Sequence, residues 1–239
     1  YTDTGFWDTF RSLFPLLNLM YPSQSREMQE GLLNTYRESG FFPEWASPGH
    51  RGCMVGNNSA SVLTDAYLKG VKVGDAEMLY EGLVHGTQAV HPKVSSTGRL
   101  GYEYYNRLGY VPYDVKINES AARTLEYAYD DWCVAQLAFA LGKKKEGKAL
   151  LARSMNYKNV FHPEKKFVMQ RDSLGNWDPD FNVFSNKGFI EGNSWQYSWY
   201  VPHDIAGLVD LLGKDLFNSR LEEGFIKSEK HKFAAHVFD

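Results

Sequence analysis

The stretch ESAARTLEYAYDDWCVAQLAFAL, residues 119–141, carries the strongest helical pattern in the chain. Its apolar and aromatic positions recur at the helical period, and Gly142 follows as a stop signal. The recurring positions are Leu125, Tyr129, Trp132, Gln136 and Phe139. Two adjacent acids, Asp130 and Asp131, lie in the middle of the stretch, and we expect them to be solvated beside a core tryptophan. The pattern predicts a long central helix.

Further helices are predicted on both sides of this stretch. They cover residues 6–20, 25–39, 59–68, 75–90, 144–159, 203–212 and 215–225. Ser25 and Asp75 are the expected N-caps of two of them. Pro15 should either bend the first helix or mark its true start. The rhythm of helix, turn, helix and longer loop is typical of helical hairpins stacked around an axis, with loops gathered at one end. The sequence therefore predicts an all-α protein of the toroid type, with few and short strands.

Composition excludes several classes of function. The 239 residues suffice for one large domain or two small ones, and the net charge of -3 gives no electrostatic reason to bind nucleic acid. No apolar run approaches the roughly 20 residues of a membrane span. Tyr1-Thr2-Asp3-Thr4 resembles no signal peptide and lacks an initiator Met, so we expect a mature piece or a fragment. Cys53 and Cys133 allow at most one disulfide bridge.

A second stretch, GFIEGNSWQYSWYVPHD at residues 188–204, places the carboxylate of Glu191 among several rings and amides. A carboxyl group pressed against rings loses solvation, which favours the protonated form that a general acid needs. Aromatic faces and amides also suit a sugar, which combines apolar C–H faces with many hydroxyl groups. The structural alternative is a buried Glu191 paired with a base inside an aromatic core. The rings are Phe189, Trp195, Tyr197, Trp199 and Tyr200.

The start of the chain contains a second group of polar residues with an aromatic neighbour. Asp8 and Arg11 are three residues apart, so they share one face of a helix beside Trp7. One interpretation is a surface ion pair, which would stabilise little. The other interpretation is a polar pair that faces a ligand.

Three segments of the chain together resemble glycoside hydrolase family 92. They are FWDTFR at residues 6–11, LEYAYDDW at residues 125–132 and EGNSWQY at residues 191–197, followed by VPHD at residues 201–204. The resemblance covers nearly the whole chain. It implies a calcium-dependent, inverting exo-α-mannosidase, in many members specific for 1,2-linkages, that acts on mannose-containing glycans. It also implies a secreted or periplasmic protein with an N-terminal β-sandwich and an (α/α)6 barrel, of which residues 1–239 form an incomplete part.

The resemblance implies roles for individual residues. Glu191 would be the general acid, and Asp8, together with Trp7 and Arg11, would contribute to a sugar subsite. The general base would lie downstream of Asp239, in the rest of the parent polypeptide, so the chain alone is expected to be inactive.

Residues around the acid receive further expected roles. Asn193 and Trp195 are expected to contact the substrate. Gln196 is expected to supply an oxygen to Ca²⁺, since amide oxygens are ligands that calcium accepts. Asp130 and Asp131 match the family without an assigned role.

Two alternatives remain open at the level of sequence. The first is another toroid glycosidase or lyase, which would need its second carboxylate within residues 1–239, for example Asp130 or Asp131. The second is a carbohydrate-binding module that stacks sugars on Trp195 and Trp199 without chemistry.

Overall fold

The computed structural model describes residues 3–231, and these residues are mostly helical. Four short strands accompany the helices: β1 Thr4–Gly5, β2 Trp45–Ala46, β3 Val90–His91 and β4 Val94–Gly98. The α-helices are α1 Phe6–Thr9, α2 Leu13–Met20, α3 Pro22–Ser39, α4 Ser59–Leu68, α5 Ala76–Gly86, α6 Tyr102–Leu108, α7 Ser120–Ala140, α8 Lys144–Arg153, α9 Ser194–Tyr197, α10 Ile205–Leu212 and α11 Lys214–His231. A 3-10 helix, Ser154–Val160, follows α8. The prediction of an all-α fold with few strands is confirmed. None of the helices described is long and apolar enough to cross a membrane.

The strands form two small antiparallel pairs. β1 pairs with β2, with Thr4 opposite Ala46 and Gly5 opposite Trp45, and β3 pairs with β4. Gly5 is needed at its position because a Cβ there would lie 2.4 Å from Cε3 of Trp45. The strands thus fix the entry into α1, which begins at the next residue.

The first predicted helix is two helices in the structure. Residues 6–20 divide into α1 and α2, and Pro15 lies in the first turn of α2, where its missing N–H group costs no helical hydrogen bond. The prediction that Ser25 is an N-cap is wrong, because α3 begins at Pro22. Ser25 is buried instead, and its hydroxyl donates to Oδ1 of Asn18 at 2.5 Å.

Other boundaries agree more closely with the sequence pattern. α4 covers the predicted residues, and the Asp75 side chain caps α5 by accepting from the Met78 N–H at 2.9 Å. α7 and its left-handed stop at Gly142 are also as predicted. The sequence predicts no helix between residues 90 and 119, whereas the structure has α6 there, together with β3 and β4. α11 is longer than the predicted helix 215–225.

The chain forms two compact units. Among the described residues, the first comprises 3–103 and 126–155, and the second comprises 104–125 and 156–231. Fully buried side chains of the first unit include Phe6, Leu33, Leu63, Leu79 and Leu137. Those of the second include Tyr105, Leu125, Tyr157, Met169 and Leu208. That residues 1–239 belong to one catalytic domain stays a prediction.

The two cysteines are free thiols in the first unit. Cys53 is half-buried, whereas Cys133 on α7 is 3% exposed. Burial raises the pKa of the Cys133 thiol, because an apolar interior disfavours the thiolate. The bridge that the sequence allowed is therefore not formed.

Candidate active site

Glu191 lies on a loop of the second unit that leads into the short helix α9. A capping box begins this helix: Oδ1 of Asn193 accepts from the Trp195 N–H at 3.0 Å, and Oε1 of Gln196 accepts from the Asn193 N–H at 3.1 Å. The Tyr197 hydroxyl donates to the Ile190 carbonyl at 2.8 Å. These bonds hold the backbone on both sides of Glu191.

The carboxyl group of Glu191 is exposed to solvent. Its backbone is left-handed, with φ of 48°, and a residue with a Cβ in this region costs about 1–2 kcal/mol. Strained residues persist only where their surroundings enforce them, and they cluster at functional sites. A fixed, strained and exposed carboxylate is a candidate for contact with a substrate.

The rings near Glu191 in sequence pack into the second unit instead of enclosing the carboxyl group. Trp195 is 5% exposed and meets Phe167 edge-on at 4.9 Å between centroids, while Phe189 packs on Tyr197 at 5.1 Å. The expectation that rings press against the Glu191 carboxyl group is therefore wrong for this chain. The rings bury their apolar faces against each other, which leaves the carboxyl group in water. The catalytic role of Glu191 stays a prediction.

Asn193, Trp195 and Gln196 have structural roles in the capped loop. Asn193 and Trp195 are buried, so they present little surface to a sugar, while Gln196 is exposed. The Gln196 oxygen proposed for calcium already accepts the Asn193 N–H. Among the described residues, no group of three or more His, Cys, Asp or Glu side chains could hold a metal ion. These residues by themselves do not form a calcium shell.

The segment Trp7–Arg11 lies in the first unit. Trp7 is half-buried, and its Nε1–H donates to Oε1 of Glu126 at 2.9 Å. Asp8 and Arg11 are exposed. The Arg11 guanidinium lies 4.9 Å from the centroid of the Trp7 ring and 4.7 Å from that of Phe10, so cation–π contacts orient it. The segment presents a fixed indole beside one acid and one base.

The acids in the middle of α7 are fully buried, so the expectation that they are solvated is wrong. Both oxygens of Asp131 accept hydrogen bonds from Arg153 at 2.6 Å, and Arg99 Nη1 lies 2.7 Å from Oδ1. Oδ2 of Asp130 accepts from the Asn57 N–H at 2.7 Å. Burial raises the pKa of Asp130 well above its usual range. Two arginines distant in sequence thus provide the buried Asp131 with ionic partners.

A third buried acid, Glu44, lies in the same unit. Its carboxyl group accepts from the Ser59 N–H at 3.0 Å, the Ser59 hydroxyl at 2.6 Å and the Asn57 amide at 3.3 Å. Burial raises its pKa to about 8, against the opposing effects of these donors and of Arg99. An adjacent cavity of about 10 Å³ has room for about one water molecule.

This burial decides against one alternative. A carboxylate that activates water must reach the sugar, whereas Asp130 and Asp131 are enclosed by protein. The structure therefore does not support either residue as the second carboxylate of a toroid glycosidase or lyase. The binding-module alternative also weakens, because Trp195 is part of the core and Trp199 packs edge-on against Phe217 at 5.3 Å.

The match to a known protein family covers almost the whole chain. The model of the glycosyl hydrolase family 92 catalytic domain matches residues 1–238. The chain belongs to glycoside hydrolase family 92. An inverting family 92 mannosidase from Bacteroides thetaiotaomicron is 48% identical, with a TM-score of 0.90 over 93% of this chain and 30% of that one.

Further relatives agree with this family assignment. A family 92 α-mannosidase from Bacteroides thetaiotaomicron is 36% identical, with a TM-score of 0.86 over 93% of this chain and 29% of that one. The same enzyme has been solved in complex with mannoimidazole. A protein from Arthroderma benhamiae named as an uncharacterized secreted glycosidase is 30% identical over 225 residues, 80% of this chain and 29% of that protein. The chain thus spans about 30% of the length of each of these relatives.

The site residues expected from the family 92 motifs divide between the two units. Trp7, Asp8 and Arg11 lie in the first unit, and the residues from Glu191 to Gln196 lie in the second. The sequence analysis gave no role to Glu126, although this residue is part of the quoted segment 125–132. In the structure its carboxyl group fixes the Trp7 indole. Its position on a helix rich in apolar residues was the available signal, because an acid there must find a partner.

Proposed function

We propose that the whole protein hydrolyses terminal α-linked mannose, in particular α-1,2-linked mannose, from glycans with inversion of the anomeric centre. Family membership supports a glycosidase of this class, and the similar solved structures are mannosidases. In this proposal Glu191 is the general acid that donates a proton to the departing oxygen.

One observation carries the proposal: Glu191 is both exposed and held in place. A general acid must come within about 2.6–3.2 Å of the atom that it protonates. The Glu191 side chain is open to a ligand from solution, while bonds at Ile190 and Asn193 fix the backbone beside it. Asn193 and Trp195 therefore serve to position the acid.

Inversion needs a second carboxylate and a water molecule between it and the sugar. The two carboxyl groups of inverting enzymes are about 6.5–9.5 Å apart, which leaves room for this water. We assign the second carboxylate to the part of the protein outside residues 1–239, because the buried acids of α7 cannot reach a substrate. Trp7, Asp8 and Arg11 are proposed to contact the sugar, since the indole is fixed and the charged groups are exposed.

Calcium dependence and secretion are further parts of the proposal. The family resemblance supports both, and one relative is named as a secreted glycosidase. Mannose release from α-1,2-mannobiose by the whole protein should fall when a chelator is added and return with Ca²⁺. Mannose release unaffected by the chelator would remove calcium from the proposal, and sugar binding without release would support a binding module.

The acid role is tested by Glu191→Gln in the whole protein. We expect a loss of about 10²–10⁴-fold in kcat on natural mannosides and a much smaller loss with an activated aryl leaving group. The amide cannot donate a proton, and a good leaving group scarcely needs one. Kinetics on both substrates make the measurement, with proton NMR of the first-formed anomer to check inversion.

The matched control is Glu164→Gln, an exposed carboxylate of the same unit. It should leave both activities unchanged. Equal losses on the two substrates for Glu191→Gln would indicate a role in binding or folding and would remove Glu191 as the acid.

A further inference from the structure

A groove with a volume of about 530 Å³ lies on the surface of the second unit. Its size is within the range of ligand sites, which is about 300–1,000 Å³. It is lined by the segment that precedes α7 and by loops on both sides of Asp180. Of these lining residues, the sequence analysis named only Gly188 and Phe189, as part of the stretch around Glu191.

We propose that this groove is the subsite for the saccharide on the leaving-group side of the scissile bond. The inference rests on the proposed mannosidase function, and it adds which part of the glycan the groove binds. Four properties of the groove support it: a fixed polar base, a negative charge, a position beside Glu191 and an open rim.

The base of the groove is built from buried polar groups. Gln170 and Asp178 are 9% and 7% exposed, and Nε2 of Gln170 donates to Oδ2 of Asp178 at 2.7 Å. The Ser120 hydroxyl donates to Oε1 of Gln170 at 3.3 Å, and Oδ1 of Asp178 accepts from the Asp180 N–H at 2.9 Å. An amide has two N–H groups and a carboxylate about four acceptor sites, so both side chains keep capacity for a ligand.

The charge of the groove indicates the class of ligand. Its carboxylates are Glu119, Asp178 and Asp180; Arg123 lies 3.1 Å from Glu119 and Lys187 lies 3.9 Å from Asp180, which leaves one net negative formal charge. An anionic sugar or a phosphate would be repelled, whereas a neutral sugar offers hydroxyl donors to these acceptors. Tyr113, which is half-buried, adds aromatic surface for its C–H groups. The groove therefore fits a neutral saccharide and not the uronate substrate of a lyase.

The groove lies next to the candidate acid. Phe189 lines it and precedes Glu191 by two residues, so their Cα atoms are at most about 7 Å apart. This connection is held in place, because the Gly188 carbonyl accepts from the Ala122 N–H at 3.0 Å in the first turn of α7. A sugar in the groove would thus have its glycosidic oxygen close to the Glu191 loop.

The exposed rim of the groove in this chain suits the leaving-group side of the bond. Asn118, Asp180, Asn186 and Lys187 on the rim are all exposed. An exo-acting enzyme must close around the terminal sugar but leave a path for the remaining glycan. An open, polar groove beside the proton donor suits the outgoing saccharide.

The experiment changes two exposed rim residues in the whole protein, Asp180→Asn and Asn186→Ala. Each should raise KM for α-1,2-mannobiose by about 3–10-fold, the effect of one lost hydrogen bond, and raise KM for an aryl α-mannoside clearly less. Glu222→Gln, an exposed acid of α11 outside the groove, is the matched control and should leave both KM values unchanged. Circular dichroism of each variant verifies the fold.

Each other outcome contradicts the inference in a recognisable way. Equal increases in KM for both substrates would place the terminal sugar in the groove. Unchanged KM values for both would show that the groove holds no part of the substrate. If the unmodified protein releases mannose from neither substrate, the proposed function itself fails. This outcome is distinct from a failure of the groove assignment, which concerns only the KM values of the variants.

Discussion

At the scale of single residues, the backbone of Glu191 makes a prediction that is independent of catalysis. Its φ of 48° is natural for glycine and strained for alanine, and its exposed side chain makes few contacts that a substitution would lose. Glu191→Gly should therefore unfold with a free energy about 1 kcal/mol higher than Glu191→Ala. Chemical denaturation of both variants measures the difference.

Glu164 provides the comparison for this pair, because it is exposed without a positive φ. There the glycine variant should be the less stable one, since glycine gains more freedom in the unfolded chain. The same order at both positions would show that the backbone of Glu191 is not strained.

Glu44 predicts that stability depends on pH. Its pKa is about 8 in the folded chain and 4.5 in an unperturbed one, so between these values the folded state keeps a proton that the unfolded state has lost. The stabilisation is complete below pH 4.5 and declines as pH rises to about 8, by at most about 1.4 kcal/mol per pH unit. Asp130, whose pKa is also raised by burial, acts in the same direction.

Denaturant titrations at intervals across this pH range measure the slope. Glu44→Gln has no proton to lose, so its slope should be shallower than that of the unmodified chain. An unchanged slope in this variant would assign the pH dependence to other groups.

The residue scale also shows where sequence reasoning reached its limit. The motif around Glu191 could be read locally, but whether its rings face the carboxyl group or turn inward depends on Phe167, which is remote in sequence. The burial of Asp130 and Asp131 depends likewise on Asn57, Arg99 and Arg153. Periodicity carries no information on such distant partners.

At the scale of elements, α7 is anchored by buried charges. Asp131 contacts the guanidinium groups of Arg99 and Arg153. The side chains of Asp131 and Arg99 are fully buried, whereas that of Arg153 is 22% exposed. Asp131→Asn removes the charge that compensates both arginines, so we expect a loss of about 3–5 kcal/mol in the free energy of unfolding. Glu77→Gln is the control, because its pair with Lys143 is exposed and should be worth under about 1 kcal/mol. Similar losses for both variants would contradict a special role of the buried pair.

Helices were predictable where their signals were local. α4 and α7 follow from periodicity and from their terminal residues, and α5 begins at its predicted cap. The turn between α1 and α2 was missed because the apolar spacing continues through it. β3 and β4 were missed because each is short and is defined by its partner strand. The groove beside α7 was missed for a related reason, since its walls come from separate loops.

At the scale of the whole molecule, the chain carries the proposed acid, Glu191, but in our proposal it does not carry the carboxylate that activates water. We therefore expect residues 1–239 alone to show no appreciable mannosidase activity, even with calcium, because the proposed base lies outside these residues and the calcium shell would be incomplete. General-base help is worth about 10²–10⁴-fold. The measurement is mannose release by the purified 239-residue chain beside the whole protein. Comparable turnover would require a base within this chain, and Glu119 and Asp180 of the groove would be the first residues to change.

The enclosure of Cys133 has a practical consequence for studying this protein. Thiol reagents attack an accessible thiolate, and Cys133 is neither accessible nor easily ionised while the first unit is intact. Cys53, half-buried, should be modified early. The slower modification of Cys133 then measures how often the region around α7 opens transiently. The rate of Cys133 modification therefore reports local opening of the first unit, and no additional label has to be introduced to measure it.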